Sequence, residues 1–423
     1  MTAATQRAID AVWRIESPRL IAGLTRLVRD VGLAEDLAHD ALVVALERWP
    51  ETGVPDNPGA WLMATAKHRA IDRLRRDKTL ERKTEQLGRE AETHEASFEA
   101  EVDAALDDGI GDDLLRLVFI ACHPLLSAEA RVALTLRLLG GLTTDEIARA
   151  FLVPEPTVAQ RIVRAKRTLA EARVPFEVPR GAELAERLAS VLEVIYLIFN
   201  EGYAATAGEG WIRPSLCQEA LRLGRTLTGL MPDEPEVHGL AALMEIQASR
   251  LRARVGPGGE PILLLDQDRA RWDWLLIRRG LAALERAEEL GGARGPYALQ
   301  AAIAACHARA RTAGETDWVR IAALYGALQE LAPSPVVELN RAVAVSMAFG
   351  PAAGLAIVDG LTGEPSLKSY HLLPSVRGDL LAKLGRLEEA RAELERAAGL
   401  TRNVRERALL LERAAACARG EHL

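Results

Sequence analysis

The chain has 423 residues, of which 53 are Lys or Arg and 60 are Asp or Glu, so its formal net charge is −7. A hydrophobic content of 49% is typical of a globular protein, and only 4% aromatic residues favours helices over β-sandwiches. No apolar run approaches the roughly 20 residues of a membrane span. Four scattered cysteines without a CxxC pair favour a reduced, cytoplasmic protein. Taken as an average, the negative charge argues against nucleic-acid binding.

The charge is distributed unevenly along the chain. Residues 1–83 and 114–180 together hold 24 basic and 18 acidic residues, whereas residues 84–113 hold 11 acidic residues and a single Arg. Residues 181–423 are nearly balanced, with 28 basic and 31 acidic residues. The sequence therefore predicts two small basic lobes (1–83 and 114–180) joined by an acidic flexible linker (84–113), and then a long helical region (181–423).

The first lobe contains a predicted helix with a tryptophan on its basic face. Asn57-Pro58-Gly59 is a helix-start pattern, and Ala60–Arg76 follows without a breaker. At about 100° per residue, the face opposite the apolar one holds Trp61, Thr65, His68, Arg69, Asp72, Arg75 and Arg76. An exposed ring among cations suits single-stranded nucleic acid, because bases stack on the ring and phosphates are drawn to the guanidinium groups. The alternative is a solvated face with Trp61 packed under a neighbouring loop.

Upstream, Gly32–Trp49 is a second amphipathic segment. Its apolar residues Leu37, Ala41, Leu42, Ala45 and Leu46 are predicted to face inward. The outward face is predicted to consist of Glu35, Asp36, His39, Asp40, Glu47 and Arg48. By itself this pattern fits any surface helix.

The second lobe has the pattern of a helix-turn-helix. Thr143 and Glu146 form a capping-box pattern for a helix that ends near Phe151, and a second helix starts at Pro156. Glycine is common in such turns, but this chain has Leu152, so a turn without positive φ is expected. The outward arc of the second helix, suited to reading base edges and phosphates in a major groove, holds Thr157, Gln160, Arg161, Arg164, Arg167 and Thr168. An ordinary αα-hairpin is the alternative.

This order of parts resembles the bacterial RNA polymerase sigma factors of the extracytoplasmic-function (ECF) class. The segments that support the resemblance are AEDLAHDALVVALERW, NPGAWLMATAKHRAIDRLRR and LTTDEIARAFLVPEPTVAQRIVRAKRTL. The resemblance implies core RNA polymerase and promoter DNA as partners. It implies that Glu35–Trp49 docks on the β′ clamp helices, that Trp61–Arg76 recognises and melts the minus-ten element, and that Thr157–Arg167 reads the minus-thirty-five element. The second lobe would contact the β flap.

Residues 181–423 exceed the length of ordinary members of this class. Three stretches there pair an L-x-x-L helix with a break, at Pro232 and Pro333 in the first two, and an Ala/Leu-rich helix. That pattern is typical of tetratricopeptide-like hairpins. The layout also resembles a sigma subgroup with a C-terminal extension, on the segments LIFNEGY, LLDQDRARWD, YALQAAIAACHA, TDWVRIAALY and SPVVELNRAVAV. The resemblance implies that this extension regulates the sigma lobes in cis, with a peptide or protein as a possible ligand. Polar residues within these helices, such as Arg269 and Asn340, would either line a ligand groove or tie hairpins together.

The sequence predicts an all-α protein without catalytic residues, metal or cofactor. Cys122-His123 and Cys306-His307 do not form a metal site, because neighbouring helical residues diverge by about 100° and no second pair lies at zinc spacing. Two other functions remain open at this point. One is a one-component helix-turn-helix regulator with a helical sensor, and the other is a helical scaffold that does not bind DNA.

Overall fold

The computed structural model describes residues 3–84 and 110–421 and divides the chain into two compact units, 1–195 and 196–423. Eighteen α-helices lie within the described residues, together with two strands of two residues each. The prediction of an all-helical protein is confirmed with that small addition.

Eight helices belong wholly or partly to the first unit. They are α1 (Ala3–Val28), α2 (Val31–Thr52), α3 (Pro58–Thr84), α4 (Ile110–Ala121), α5 (Ala128–Leu138), α6 (Thr144–Phe151), α7 (Glu155–Glu171) and α8 (Ala182–Tyr203). The boundary between the two units falls within α8.

Side-chain caps set the starts of the first helices. The Asp30 carboxylate accepts from the Leu33 backbone N–H at 2.8 Å and begins α2. The Asn57 side chain accepts from the Ala60 N–H at 3.0 Å and begins α3, as the sequence predicts. These caps satisfy backbone donors that a helix start otherwise leaves unpaired. Helices α1, α2 and α3 pack on one another and form the first lobe.

The first turns of α8 complete the second lobe. Arg187 donates to the Phe119 carbonyl at 3.0 Å, and the Ser190 hydroxyl donates to the Cys122 carbonyl at 2.6 Å. Phe119 is fully buried, and Val191 on the inner face of α8 is also fully buried. The segment after Arg180 is therefore part of the core of this lobe.

The acidic stretch 84–113 lies mostly outside the described residues, because 85–109 are not described. Its end differs from the prediction of a linker extending to residue 113, since α4 already begins at Ile110. Asp113 is 2% exposed, and its carboxylate pairs with Arg116 at 2.6 Å and with Arg26 of α1 at 3.2 Å. These cations bind Asp113 into the fold, so the prediction that it is a solvated linker residue is wrong.

Ten further helices form the second unit after the end of α8. They are α9 (Pro214–Leu230), α10 (Pro235–Ala248), α11 (Trp274–Glu289), α12 (Pro296–Arg309), α13 (Trp318–Leu331), α14 (Pro335–Phe349), α15 (Pro351–Gly360), α16 (Leu372–Lys383), α17 (Leu387–Leu400) and α18 (Val404–Ala418). Consecutive helices pack against each other along most of this series. The predicted breaks at Pro232 and Pro333 are confirmed, since both prolines lie between helices.

The first and last segments of the second unit are joined. Strand β1 (Ala207–Gly208) pairs in parallel with strand β2 (Arg402–Asn403). The buried Asn403 amide donates to the Ala205 carbonyl at 3.0 Å and to the Gly210 carbonyl at 2.8 Å. Its side-chain oxygen accepts from the first N–H groups of α18, so one residue both caps a helix and ties the two segments.

Across the described ranges, no helix combines the length and apolar character that a membrane span requires.

Candidate nucleic-acid interface

The helix-turn-helix is built as its sequence pattern predicts. The Thr143 side chain accepts from the Glu146 N–H at 3.1 Å, and the Glu146 carboxylate accepts from the Thr143 N–H at 2.8 Å, which completes the capping box of α6. Pro156 lies in the first turn of α7. The packing face of α7, formed by Val158, Ile162, Ala165 and Leu169, is buried throughout.

The opposite arc of α7 reaches solvent. Gln160, Arg164 and Arg167 are exposed, whereas Thr157, Arg161 and Thr168 are half-buried at its edges. Arg167 Nε lies 2.9 Å from Glu171 of the same helix, an exposed pair that holds the guanidinium only weakly. The structure therefore brings the six predicted residues onto one side of α7, with three of them free to reach a groove.

The turn between α6 and α7 differs from the expectation. Leu152 lies in the left-handed region, with φ +51° and ψ +43°. The expectation of a turn without positive φ is therefore wrong. The Leu152 N–H bonds to the carbonyls of Ala148 and Arg149 at the end of α6, and its side chain is 54% exposed. The conformation is strained for an L-residue because Cβ approaches the following carbonyl oxygen.

Helix α3 places its predicted residues less uniformly. Trp61 is half-buried, and its ring makes an edge-on contact with Trp49 of α2 at 5.2 Å between centroids. The prediction of an exposed Trp61 is thus wrong in part, because an aromatic partner on α2 covers one side of the ring. Thr65 is half-buried and His68 is exposed.

The remaining residues of this set are partly outside the structure. Arg69 pairs with Asp40 of α2 at 3.0 Å on the surface, so one residue predicted to face DNA contacts one predicted to face polymerase. The side chains of Asp72, Arg75 and Arg76 lie outside the described residues.

Helix α2 exposes four of the six residues predicted for its outward face. Asp36, Asp40, Glu47 and Arg48 are exposed, and His39 is half-buried. Glu35 is only 3% exposed, so the prediction that it faces outward is wrong. The physical reason is a pair of cations from the second lobe: Arg137 Nε of α5 lies 2.6 Å from the Glu35 carboxylate, and Lys166 of α7 also pairs with it.

Hydrogen bonds fix the protonation states around Glu35. Burial raises the pKa of its carboxyl, but the charges and hydrogen bonds of Lys166 and Arg137 outweigh burial, so the pKa lies below its usual value. His39 Nδ1 donates to the Glu35 carbonyl at 2.8 Å, which leaves Nε2 to accept from Arg137 at 2.8 Å. Burial and the Arg137 charge lower the pKa of His39, consistent with a neutral ring. We call Glu35, His39, Arg137 and Lys166 the interlobe cluster.

Comparison with known families decides what this arrangement is. Residues 13–79 match Sigma-70 region 2, and residues 116–169 match Sigma-70 region 4. Residues 187–288 match a family of unknown function, DUF6596. The chain is an extracytoplasmic-function sigma factor. Its sigma domains imply binding to core RNA polymerase and promoter DNA, and the family is not one of enzymes.

Individual relatives include one uncharacterized protein and two that are named as ECF sigma factors. The sigma factor is 45% identical over 397 residues to an uncharacterized protein of Rhizobium meliloti (strain 1021), covering 93% of this chain and 92% of the relative. It is 28% identical over 159 residues to ECF RNA polymerase sigma factor SigK of Mycobacterium sp. (strain KMS). That alignment covers 37% of this chain and 77% of the relative. It is 26% identical over 170 residues to the probable ECF RNA polymerase sigma factor SigI of Mycobacterium tuberculosis (strain ATCC 25618 / H37Rv). That alignment covers 40% of this chain and 57% of the relative. No solved structure matches.

Sequence reasoning missed three residues of the sigma factor that the structure makes prominent. Arg137 and Lys166 join the second lobe to Glu35, and nothing in the pattern of α5 or α7 alone points to a partner on another helix. Val163 is 63% exposed on α7, next to the outward arc. Its spacing, three residues after Gln160 and four before Arg167, was the available signal for a residue on that side of α7.

Proposed function

We propose that α7 of this sigma factor reads the minus-thirty-five element through Thr157, Gln160, Arg161, Arg164, Arg167 and Thr168. The observation that supports the proposal most directly is the solvent exposure of Gln160, Arg164 and Arg167 on a helix whose opposite face is buried. Arg can bind guanine and Gln can bind adenine through two hydrogen bonds each. Val163, which is exposed on the same side of α7, is proposed to contact a thymine methyl group.

The minus-ten element is the target proposed for α3, through Trp61, Thr65, His68, Arg69, Asp72, Arg75 and Arg76. The contact with Trp49 supports a role for Trp61 as a braced platform, since one side of the ring packs in the protein and the rest remains available to a base. Strand separation by this means needs only tighter binding of the open strand than of the duplex, with no covalent step.

Core polymerase is proposed to contact α2 through Asp36, His39, Asp40, Glu47 and Arg48 at the β′ clamp helices, and the second lobe at the β flap. Glu35 belongs to the same set, but its carboxylate is bound by Arg137 and Lys166. Glu35 therefore becomes available to polymerase only when the interlobe cluster opens, which couples docking to separation of the two lobes.

The C-terminal region, 181–423, is proposed to act as a tetratricopeptide-like regulator in cis. Its series of packed helical pairs supports this interpretation. The lobes proposed at 1–83 and 114–180, with the acidic tether at 84–113, would be the parts that it controls. A full-length chain and a fragment ending at Tyr203 should then differ several-fold in promoter-directed transcription with core polymerase. Equal activities would contradict cis regulation.

The promoter experiment uses purified full-length chain, core RNA polymerase and candidate promoters. Arg164→Ala should reduce discrimination at one upstream base pair by roughly 5–150-fold, equivalent to about 1–3 kcal/mol for one base contact. Arg149→Ala is the matched control, because Arg149 is an exposed arginine (70%) on α6, outside the proposed contacts. A control that loses as much discrimination as Arg164→Ala, or an Arg164→Ala protein that loses none, contradicts the proposed reading helix.

A second experiment separates melting from folding at Trp61. Trp61→Ala should lower initiation from duplex promoters and recover on templates whose minus-ten region is already unpaired, because the open strand no longer has to be created. A defect that persists equally on unpaired templates would contradict the melting role. The melting temperature of the variant, measured in parallel, reports the loss of the contact with Trp49.

A further inference from the structure

A cluster of cationic and aromatic side chains lies in the second unit, outside the residue ranges that match the sigma domains. Cations and rings alternate along a series formed by Trp211, Arg254, Tyr203, Arg250, Trp272 and Arg269. His307 joins the end of the series, because its backbone carbonyl accepts from Arg269. We call this series the arginine–aromatic cluster. The Arg254 guanidinium carbon lies 3.7 Å from the centre of the Tyr203 ring, and that of Arg269 lies 4.7 Å from the centre of the Trp272 ring. Arg250 lies 5.8 Å from both rings.

The irregular segment between α10 and α11 supplies the three arginines and Trp272 of this cluster. Arg250 and Arg254 flank the 3-10 turn Leu251–Ala253, and Arg269 begins the 3-10 turn Arg269–Arg271. Arg254 donates to the Tyr203 carbonyl at 3.0 Å. Arg269 donates to the Ala310 carbonyl at 2.8 Å and also to the His307 carbonyl. These backbone bonds hold the cations at defined positions rather than on a mobile surface.

The cluster has an excess of positive charge. Within the described part of the chain, none of Arg250, Arg254 and Arg269 forms an ion pair with a carboxylate. Burial and the Arg250 charge lower the pKa values of Arg254 and Arg269, and Glu315 is the carboxylate whose charge acts in the opposite direction on Arg269. Buried charges are normally paired, because taking a cation out of water is costly. Contact with aromatic rings offsets only about 0.5–2 kcal/mol per pair.

Hydrogen-bond donors in the cluster also lack acceptors. Among the described residues, no acceptor binds the buried Nε–H groups of Arg250 and Arg254 or the indole N–H groups of Trp211 and Trp272. Arg250 as a whole residue is only 8% exposed, and its Nε atom is buried. An aromatic ring face attracts a guanidinium cation, but it does not supply the oxygen acceptor that these N–H donors lack. The cluster thus lacks both hydrogen-bond acceptors and negative charge. A ligand that carries an anionic oxygen group would supply both.

We propose that the arginine–aromatic cluster binds a small ligand through a carboxylate or phosphate group. An oxyanion supplies both the negative charge and the acceptor oxygens that the cluster lacks, and guanidinium groups bind such planar or tetrahedral oxyanions through paired hydrogen bonds. Arg254 and Arg269 are half-buried and Arg250 is buried, so a ligand would have to reach the cluster through its half-buried members. The site lies within the segment that matches DUF6596, apart from His307, and would make the C-terminal unit a sensor of an anionic small molecule.

The test uses the full-length chain titrated with sodium phosphate in one arm and sodium citrate in the other, with sodium chloride at the same ionic strength as reference. Calorimetric titration and the melting temperature are both measured. Because phosphate and citrate stabilise proteins generally at high concentration, support requires saturable binding at millimolar concentration or below. The arm that saturates identifies phosphate or carboxylate as the recognised group.

Matched variants locate the site. Arg250→Gln should weaken binding at least tenfold, whereas Arg252→Gln should bind as the unmodified chain does, because Arg252 is exposed on the same 3-10 turn. If Arg250→Gln does not fold, the half-buried Arg269→Gln provides the same comparison. Saturable binding that is lost only in the cluster variants supports the proposal. Unsaturable stabilisation, or equal affinity in all variants, overturns it and leaves the cluster as a structural tie.

Discussion

At the scale of single residues, Leu152 shows how a strained backbone can be placed at a functional turn. Its positive φ costs an L-residue about 1–2 kcal/mol, and its exposed side chain buries too little surface to offset much of that cost. The strain lies immediately before α7, so the direction in which α7 leaves the turn depends on it. The sequence shows that this turn has leucine where glycine is common. Only the backbone dihedral angles show that Leu152 adopts the left-handed conformation that glycine would adopt there.

Leu152→Gly should stabilise the chain slightly. Relief of the left-handed strain outweighs the roughly 0.5–1 kcal/mol that glycine costs in chain entropy, for a net gain of up to about 1 kcal/mol. Denaturant unfolding measures the change. Leu125→Gly is the control, since Leu125 is an exposed leucine of the same lobe without positive φ and should only lose stability. A loss at Leu152 as large as that at Leu125 would contradict the strain.

His307 makes the stability of the second unit dependent on pH. Burial, followed by the charges of Arg250 and Arg269, lowers the pKa of His307 to about 3. The unfolded chain binds a proton at this residue below about pH 6.5, whereas the folded chain does not. Stability is therefore lost as pH falls from about 6.5 toward 3, by up to about 1.4 kcal/mol per pH unit for this one proton.

Unfolding of His307→Gln between pH 4 and 7 tests that dependence. The variant should show a shallower loss of stability on acidification than the unmodified chain, because it has no imidazole to take up the proton on unfolding. Identical slopes for the unmodified chain and His307→Gln would show that the proton taken up on unfolding belongs to another group.

At the scale of secondary-structure elements, amphipathic helices were the most predictable feature. The packing face of α7 and the caps of α3 and α6 follow from local spacing and local hydrogen bonds, which the sequence contains in full. The prediction for Glu35 was wrong, and that for Trp61 was wrong in part, because their surroundings come from other helices. A carboxylate on an apparently polar face is buried when cations from α5 and α7 meet it, and no periodicity within α2 reveals that contact.

Glu35→Gln should loosen the contact between α2 and α7. The substitution removes the anion that neutralises Arg137 and Lys166, and we expect a loss of about 3 kcal/mol or less, since both cations can turn toward water. Fluorescence energy transfer between labels at Glu47→Cys and Glu171→Cys measures the separation, which should lengthen or broaden. Asp36→Asn, an exposed neighbour on α2, should leave it unchanged.

The same contact has a defined pH response. Because the folded-state pKa of Glu35 is lowered, its contribution is present above the unfolded value of about 4.3 and is lost as pH falls through the folded pKa. The separation between the labels should therefore stay constant through neutral pH and increase only at lower pH. A label separation in Glu35→Gln equal to that of the unmodified chain would contradict the interlobe cluster.

At the scale of the whole molecule, the sequence break and the structural boundary differ. Pro175–Gly181 separates helices, but the compact first unit extends to residue 195 because α8 begins by packing on the second lobe. Charge and proline patterns locate breaks in the chain, whereas a unit ends where packing ends, and that depends on which helices meet in space.

A fragment ending at Arg180 should therefore be less stable than one ending at Tyr203. It loses the bonds from Arg187 and Ser190 and exposes the core around Phe119, which together exceed about 2 kcal/mol and lower the melting temperature by at least roughly 5 °C. Calorimetry of the two fragments measures the difference. Equal melting temperatures would show that α8 adds nothing to the first unit. Tests of the C-terminal region should use the longer fragment.

The pairing of β1 with β2 changes how the second unit can come apart. A stack of helical pairs with free ends frays from either end, one repeat at a time, because each repeat touches only its neighbours. Here Asn403 binds the carbonyls of Ala205 and Gly210, so the last helix and the opening segment hold each other. Neither end can leave without releasing the other. Proteolytic cleavage in one loop of this unit should therefore leave two fragments that stay associated through the β1–β2 pairing and Asn403.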